Sequence, residues 1–271
     1  MIRLSTNDQQ TAYDAARCVV ETHRRLADWM HLGLTLAQID RFVAGVLDEL
    51  KCRSCFLGYR VPRTPPFPSH ACLSVNECVV HGTAGYYLEP MKPGDVLKID
   101  IGVTHRGWIG DAAWTYVFGE PSEEARRLTE CGKEAIRIGI GRLVAGRPMI
   151  EWARALQHYV ETECGLHLVR GLGGHGYGRR LHEPPFISNT VPTFRGEWPD
   201  AYKTFTPGML LAVEPMIASG TGRVVQESGG WPMFTEDGSL SVHYEHDVLI
   251  TTEGPRVLTE GLDELETVIT R

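Results

Sequence analysis

The order of helical and strand-like patterns restricts the fold of this chain more than any other feature of its sequence. Four stretches with apolar residues at helical spacing come in two pairs, over residues 7–29, 36–50, 123–143 and 149–164. Runs typical of strands follow each pair, over residues 71–80, 96–118, 166–169, 209–213 and 242–250. This repeated order predicts an α+β fold built by duplication, with the strands of both halves packed together and the helices outside.

Helix start signals mark where each half begins. We predict Asn7 and Thr35 as the caps of the first helix pair, and Pro121 with the acidic residues after it as the start of the second pair. The chain is therefore predicted to form one domain over residues 1–271, with no N-terminal extension domain. Its halves would cover about 7–120 and 121–258.

Composition excludes several classes of protein. The 271 residues are 42% hydrophobic, yet no run approaches the ~18 apolar residues of a membrane span, and residues 1–8 lack the apolar core of an export signal. The 7 cysteines are irregularly spaced, as is typical of reduced thiols in the cytoplasm. A net charge of −7 without a basic run opposes direct nucleic-acid binding. We expect a cytoplasmic, globular protein without a membrane partner.

Two aspartates lie in neighbouring strand patterns that a short turn separates. If this hairpin folds about its middle, residues whose numbers sum to 211 are opposite. Asp100 then faces Asp111 with a Cβ distance of ~5 Å. Two such charges need a shared proton or a cation, although each aspartate alone is also typical of a turn. The pairing favours a metal site.

A glycine-rich segment surrounds His175. Residues 171–178 match the pattern G-x-G-x-x-G, but Pro184 and Pro185 follow where a dinucleotide-binding fold needs a helix. The glycines therefore indicate close packing of backbone around His175 rather than a Rossmann site.

Two glutamates interrupt apolar runs in the second half of the chain. Glu214 follows an apolar run that ends at Val213, and Glu245 lies in the middle of another. A buried acid needs compensation, which a metal would supply to both residues. An Arg or Lys partner remains an alternative for either one alone.

Other potential metal ligands have simpler explanations. A zinc ribbon would use Cys52, Cys55, Cys72 and Cys78, but five residues rather than two separate its second pair. Single histidines are usually structural or lie at the surface, and we assign this role to His23, His31, His158 and His243.

The acidic and histidine residues together resemble the motifs of type I methionine aminopeptidases, which have the creatinase or "pita-bread" fold. The matching segments are residues 79–82, 99–101, 110–111, 174–176, 213–216 and 244–246, within a similarity that runs from about residue 7 to 258. The resemblance implies a duplicated fold in which a curved antiparallel sheet carries helix pairs on its outer face. A dinuclear metal site would lie between the two halves.

The same resemblance implies the metal ligands. Asp111 and Glu245 would bridge two divalent ions. Asp100 would complete the ligands of one ion, and His175 with Glu214 those of the other. This oxygen-rich set suits Mn²⁺, Fe²⁺ or Co²⁺, and Zn²⁺ also fits. A hydroxide bridging the ions would then be the nucleophile that removes the N-terminal methionine from nascent or short polypeptides.

Further roles follow from the resemblance alone. Glu214 would transfer protons, His182 would stabilise the tetrahedral oxyanion, and His81 would contact the peptide beside the scissile bond. The pocket for the substrate side chain would be lined by Phe56, Tyr59, Cys72, Leu181 and Trp231. We expect a monomer that binds the N-terminus of a peptide or nascent chain.

Some residues depart from the family's pattern. Phe56 stands where the family often has a cysteine, Leu181 stands where it often has a phenylalanine, and segments 62–68 and 189–206 are longer than usual. These differences bear on side-chain preference more than on the chemistry. Two alternatives remain: a proline-directed peptidase of the same fold, which commonly has an additional N-terminal domain, and a metal-free peptide-binding protein on this fold.

Overall fold

The computed structural model describes residues 5–271, so residues 1–4, which contributed to the prediction about export, lie outside the described residues. The helices are α1 (Thr6–Trp29), α2 (Leu36–Glu49), α3 (Glu123–Ile140) and α4 (Ile150–Gln157), and a π-helical segment, His158–Glu163, extends α4. The two predicted helix pairs are therefore confirmed. Within residues 5–271 no helix combines the length and the apolar character that crossing a bilayer requires.

Side-chain caps begin three of these helices. The predicted cap of α1 was wrong by two residues: Ser5, not Asn7, accepts a hydrogen bond from the Asp8 N–H at 3.1 Å. The Asp8 carboxylate in turn accepts the Ser5 N–H at 3.2 Å, which forms a reciprocal capping box. Thr35 caps α2 as predicted, and Ser122 caps α3.

The strands are short apart from two long neighbours, β4 and β5. In chain order they are β1 (Arg53–Ser54), β2 (Cys72–Val75), β3 (Cys78–Val80), β4 (Val96–His105), β5 (Trp108–Phe118), β6 (His167–Leu168), β7 (Gly173–Gly176), β8 (Glu183–Ser188), β9 (Leu210–Val213), β10 (Met216–Ala218), β11 (Val224–Gln226), β12 (Met233–Thr235), β13 (Ser241–His243), β14 (His246–Ile250), β15 (Pro255–Val257) and β16 (Val268–Ile269). The order of a helix pair followed by strands occurs twice, as the predicted duplication requires.

Each half supplies a five-stranded sheet, except that the last strand of the first sheet, β16, comes from the C-terminal end of the chain. The first has the order β1-β4-β5-β16, with β2 also paired to β4, and the second has the order β15-β14-β9-β7-β8. Two three-stranded sheets, β13-β10-β6 and β11-β12-β3, lie beside them. The pairs within both five-stranded sheets are antiparallel except β5 with β16.

The turn between β4 and β5 sets the register of the longest hairpin. His105 pairs with Trp108, so the loop consists of Arg106 and Gly107 only. Their φ values of 50° and 78° are those of a type I′ turn, whose twist suits two-residue hairpins. The predicted register was therefore wrong by two residues.

Strand β5 runs along the seam between the halves. All of its residues are buried. On one side α1 packs directly on it, because a Cβ at Gly110 would lie 2.6 Å from the backbone of Ala15. On the other side the Ala113 carbonyl accepts the Glu245 N–H at 2.8 Å. The seam therefore brings the acidic residue of β5, Asp111, close to the second half.

Candidate metal centre and its pocket

Asp100 and Asp111 lie on the same face of the β4–β5 hairpin. Asp100 is opposite Ala113, and Asp111 is opposite Gly102. The predicted direct pairing of the aspartates was therefore wrong. Because side chains alternate along a strand, however, a shift of two residues keeps both carboxylates on one face.

Three residues of the second half approach these aspartates from separate segments. His175 lies on β7, where a Cβ at Gly174 would meet the Ala212 carbonyl oxygen at 2.2 Å, so the glycine permits close packing of β7 on β9. Glu214 lies between β9 and β10, and Glu245 lies between β13 and β14. The structure thus brings all five predicted ligands to one region.

Distances between the potential ligand atoms describe two overlapping groups. One atom each of Asp111, His175 and Glu245 lie within 4.8 Å of one another, and the same holds for Glu214, His243 and Glu245. His175 Nε2 is 3.9 Å from both Asp111 Oδ2 and Glu214 Oε1. Glu245 belongs to both groups, whereas Asp100 belongs to neither.

Burial controls the charge state of these groups. It raises the pKa of Asp100 to about 7. Burial and repulsion from neighbouring carboxylates raise the pKa values of Asp111 and Glu245 well above their usual range. Burial also raises the pKa of Glu214 well above its usual range. Burial also lowers the pKa of His175 to about 4, so a neutral imidazole does not offset the acids.

The carboxylates lack the partners that buried acids normally have. The Oδ1 atoms of Asp100 and Asp111 are buried and accept no hydrogen bond. Among residues 5–271, neither Glu214 nor Glu245 forms an ion pair with Lys or Arg, as the salt-bridge alternative would need. Unpaired buried carboxylates are costly, and divalent cations satisfy them. The donor set therefore fits metal ions.

His81 and His182, which are predicted to act on the substrate, line a cavity beside the carboxylates. Its volume is about 560 Å³, and its lining includes His81, Asp100, His175, His182 and Glu214. His182 is exposed, and its Nδ1 lies 2.7 Å from the Tyr59 hydroxyl. His81 has a positive φ of 59°, a conformation uncommon for residues other than glycine.

Two further residues support the site: His243, for which we predicted only a structural or surface role although it lines the cavity beside Glu214, and Asp247, which was not singled out from the sequence. His243 is buried, and its Nε2 lies 3.1 Å from Glu214 Oε2. Asp247 is fully buried and accepts the Asp111 N–H at 2.8 Å. Both lie two residues from Glu245 in the sequence. Alternate residues of an extended segment share a face, so this spacing could have indicated that they lie beside Glu245.

All five predicted pocket residues belong to one apolar cluster. Its members among the predicted residues are Phe56, Tyr59, Cys72, Leu181 and Trp231. Cys72 is opposite Asp100 across β2 and β4, so the pocket adjoins the carboxylates. Phe67, which the sequence did not indicate, packs edge-on against Trp231 with ring centroids 5.1 Å apart. The Pro-rich segment 62–68 therefore contributes Phe67 to this apolar cluster.

The four cysteines of the alternative zinc ribbon do not form a ligand group among the described residues. Cys72 lies in the apolar pocket cluster, and the Cys78 thiol donates to the Val80 carbonyl on β3. Cys52 lies instead beside His105, with Sγ and Nδ1 3.4 Å apart. This alternative was therefore wrong.

Comparison with known proteins identifies relatives of the whole chain. Residues 10–252 match the model of metallopeptidase family M24. The methionine aminopeptidase of Aquifex aeolicus is 34% identical over 247 residues, which cover 91% of this chain and 93% of that protein. The methionine aminopeptidase of Clostridium acetobutylicum is 35% identical over 255 residues, with 93% and 97% covered.

Solved structures show the same relation. The crystal structure of methionine aminopeptidase from Thermotoga maritima superposes with a TM-score of 0.86 at 31% identity, covering 96% of this chain and 99% of that chain. Prolidase from Pyrococcus furiosus superposes with a TM-score of 0.71 at 19% identity, and the match covers 96% of this chain but 65% of that chain. The second likeness shows a shared fold alone. The predicted duplicated pita-bread fold is confirmed.

Proposed function

Because this chain belongs to metallopeptidase family M24, we propose that it removes the N-terminal methionine from peptides and nascent chains. The observation that carries this proposal is an apolar cluster, proposed to form the side-chain pocket, that lies directly beside five converging ligand residues. Cys72 of the pocket pairs with Asp100 across neighbouring strands. A substrate side chain in the pocket therefore places the first peptide bond near the carboxylates.

The proposed ligands are those implied by the family resemblance. Asp111 and Glu245 would be shared by two divalent ions, Asp100 would help to hold one of them, and His175 with Glu214 would help to hold the other. Such ions acidify water and polarise a carbonyl group. The mainly oxygen ligands favour Mn²⁺, Fe²⁺ or Co²⁺, with Zn²⁺ also compatible.

The remaining residues act on protons and on the substrate. Glu214 exchanges protons with the nucleophile and the leaving amine, helped by His243 at its second oxygen. When His182 Nδ1 accepts a hydrogen bond from the Tyr59 hydroxyl, its Nε2 carries a hydrogen and donates to the developing oxyanion. His81 contacts the peptide beside the scissile bond.

Substrate choice tests the function. Met-Ala-Ser should lose only its first residue, whereas Lys-Ala-Ser should react ~10²-fold more slowly, because a charged side chain loses its hydration in an apolar pocket. Mass spectrometry of timed reactions measures both rates. Faster cleavage of an Xaa-Pro dipeptide than of Met-Ala-Ser would instead favour the proline-directed alternative.

Metal content tests the ligand set. We propose a cytoplasmic monomer that folds as a single domain over 1–271. In size-exclusion chromatography the protein should therefore elute at the mass of one chain, with about two divalent ions bound. Chelation should abolish hydrolysis, and Mn²⁺ or Co²⁺ should restore it, because the buried carboxylates need the cations. Elemental analysis of the eluted peak provides the count. Full hydrolysis by metal-depleted protein would contradict the proposal and favour other chemistry.

A further inference from the structure

A second group of potential metal ligands lies apart from the cavity. Cys18 on α1, Cys52 just after α2 and His105 at the end of β4 each offer one atom, and these atoms lie within 4.8 Å of one another. None of the three lines the cavity that contains Asp100 and Glu214. The packing of α1 and α2 on the β4–β5 hairpin therefore assembles a thiol, thiol and imidazole group that the proposed hydrolysis does not use.

The spacing within this group matches zinc coordination. Tetrahedral zinc with Zn–S near 2.3 Å and Zn–N near 2.1 Å places sulfur and nitrogen about 3.6 Å apart. Cys52 Sγ and His105 Nδ1 are 3.4 Å apart. Cys52 and His105 therefore already have nearly the spacing of two zinc ligands, and the Cys18 sulfur lies within 4.8 Å of both ligand atoms.

We propose that Cys18, Cys52 and His105 form a binding site for a Zn²⁺-type cation. Thiolate and imidazole ligands favour Zn²⁺ over the harder cations that carboxylates prefer. A water molecule would supply the fourth ligand of a tetrahedral ion. The bound ion ties the N-terminal helix to the hairpin that carries Asp100.

A cation can reach this group from solvent. Cys18 and His105 are half-buried, while Cys52 is buried and held in place. The hydrogen bond between the two cysteines lowers the pKa of Cys18, whereas that hydrogen bond and burial raise the pKa of Cys52. Binding of the ion would therefore have to displace the proton of Cys52.

The two kinds of site differ in ligand chemistry, which gives a specific test. The proposed ligands of the peptidase centre include no thiolate, whereas this site has two. Full-length protein, reduced and treated with chelator, is titrated with Co²⁺. A sulfur-to-cobalt charge-transfer band should appear and saturate at an intensity that corresponds to one thiolate-bound Co²⁺ per chain. It should be absent in Cys18→Ser and in His105→Gln.

Matched cysteine variants assign the band. Cys164→Ser, which removes another half-buried thiol, should retain the full band. Cys72→Ser should also retain it, although Cys72 lies beside Asp100. Loss of the band in Cys72→Ser, or its persistence in Cys18→Ser, would place the cobalt–sulfur bond elsewhere and overturn the proposal.

A stability measurement completes the test in a protein whose peptidase centre is disabled. Zn²⁺ should raise the Tm of Asp111→Asn, and it should raise the Tm much less when Cys18→Ser is added. Cys18 is half-buried, so this replacement leaves the core intact. An equal rise in Tm with and without Cys18→Ser would show that the group binds no metal. The absence of a charge-transfer band in the reduced parent protein would show the same.

Discussion

Replacing Asp111 with Asn should lower kcat/KM by at least ~10³ and yet stabilise the metal-free protein. The activity falls because a neutral amide is a poor bridging ligand, so both ions bind more weakly. Stability rises because a buried, unpartnered carboxylate is replaced by an uncharged group of the same size. A Tm increase of about 2–4 °C would correspond to ~1 kcal/mol for a chain of this length.

The difference in stability between metal-free Asp111→Asn and the metal-free parent should depend on pH. Burial and the neighbouring acids raise the pKa of Asp111 in the folded state. The metal-free parent therefore keeps its full stability below the unfolded-state pKa and loses stability as the pH rises towards the folded-state value. The amide in Asp111→Asn does not titrate in this range, so the Tm difference between the two metal-free proteins should widen as the pH rises.

Two comparisons make the Asp111 result specific. Asp28→Asn, which alters an exposed acid on α1, should leave metal content and hydrolysis unchanged. With metal present, Asp111→Asn should instead melt below the parent, since it binds the stabilising ions more weakly. A metal-free Asp111→Asn that melts below the metal-free parent would contradict the inferred burial of an uncompensated charge.

Replacing His182 with Ala should lower kcat by ~10²–10³ with a much smaller change in KM, because one donor to the developing oxyanion is lost. Metal content should stay at the parent's level, since His182 is not a proposed ligand. Its exposure implies little change in Tm. Kinetics, elemental analysis and thermal melting on one preparation separate these effects.

The neighbour of His182 provides a graded comparison. Tyr59→Phe removes the hydroxyl 2.7 Å from Nδ1 without removing the imidazole, so its loss of kcat should be smaller than that of His182→Ala. His158→Ala, at an exposed position, should leave kcat at the parent's value. Unchanged kcat in His182→Ala, or metal loss in step with activity, would remove His182 from the proposed role.

The sequence was informative where burial and charge conflict. Asp100, Glu214 and Glu245 interrupt apolar runs, and a charge in such a run requires compensation wherever the strand packs. The register of the β4–β5 hairpin was harder to predict, because the sequence allows a loop of two or more residues. Arg106 has a positive φ although it is not glycine, and only the folded hairpin reveals it.

Contacts between distant segments explain what the sequence did not reveal about the pocket. The Trp231 indole N–H donates to the Pro65 carbonyl at 2.8 Å, across most of the chain. This contact places Phe67 beside Trp231 in a Pro-rich segment that has no strand or helix periodicity. Periodicity describes neighbours within one element, so it contains no information about such a pair.

The seam along β5 has a consequence for the order of folding. Asp111 and Glu245 come from opposite sides of that seam, so neither half alone presents the complete set of ligands. With these residues as ligands, the ions are captured only after both halves have docked, and they then act as a cross-link between segments distant in the chain. Metal release would therefore report the first separation of the halves, before either half loses its own secondary structure.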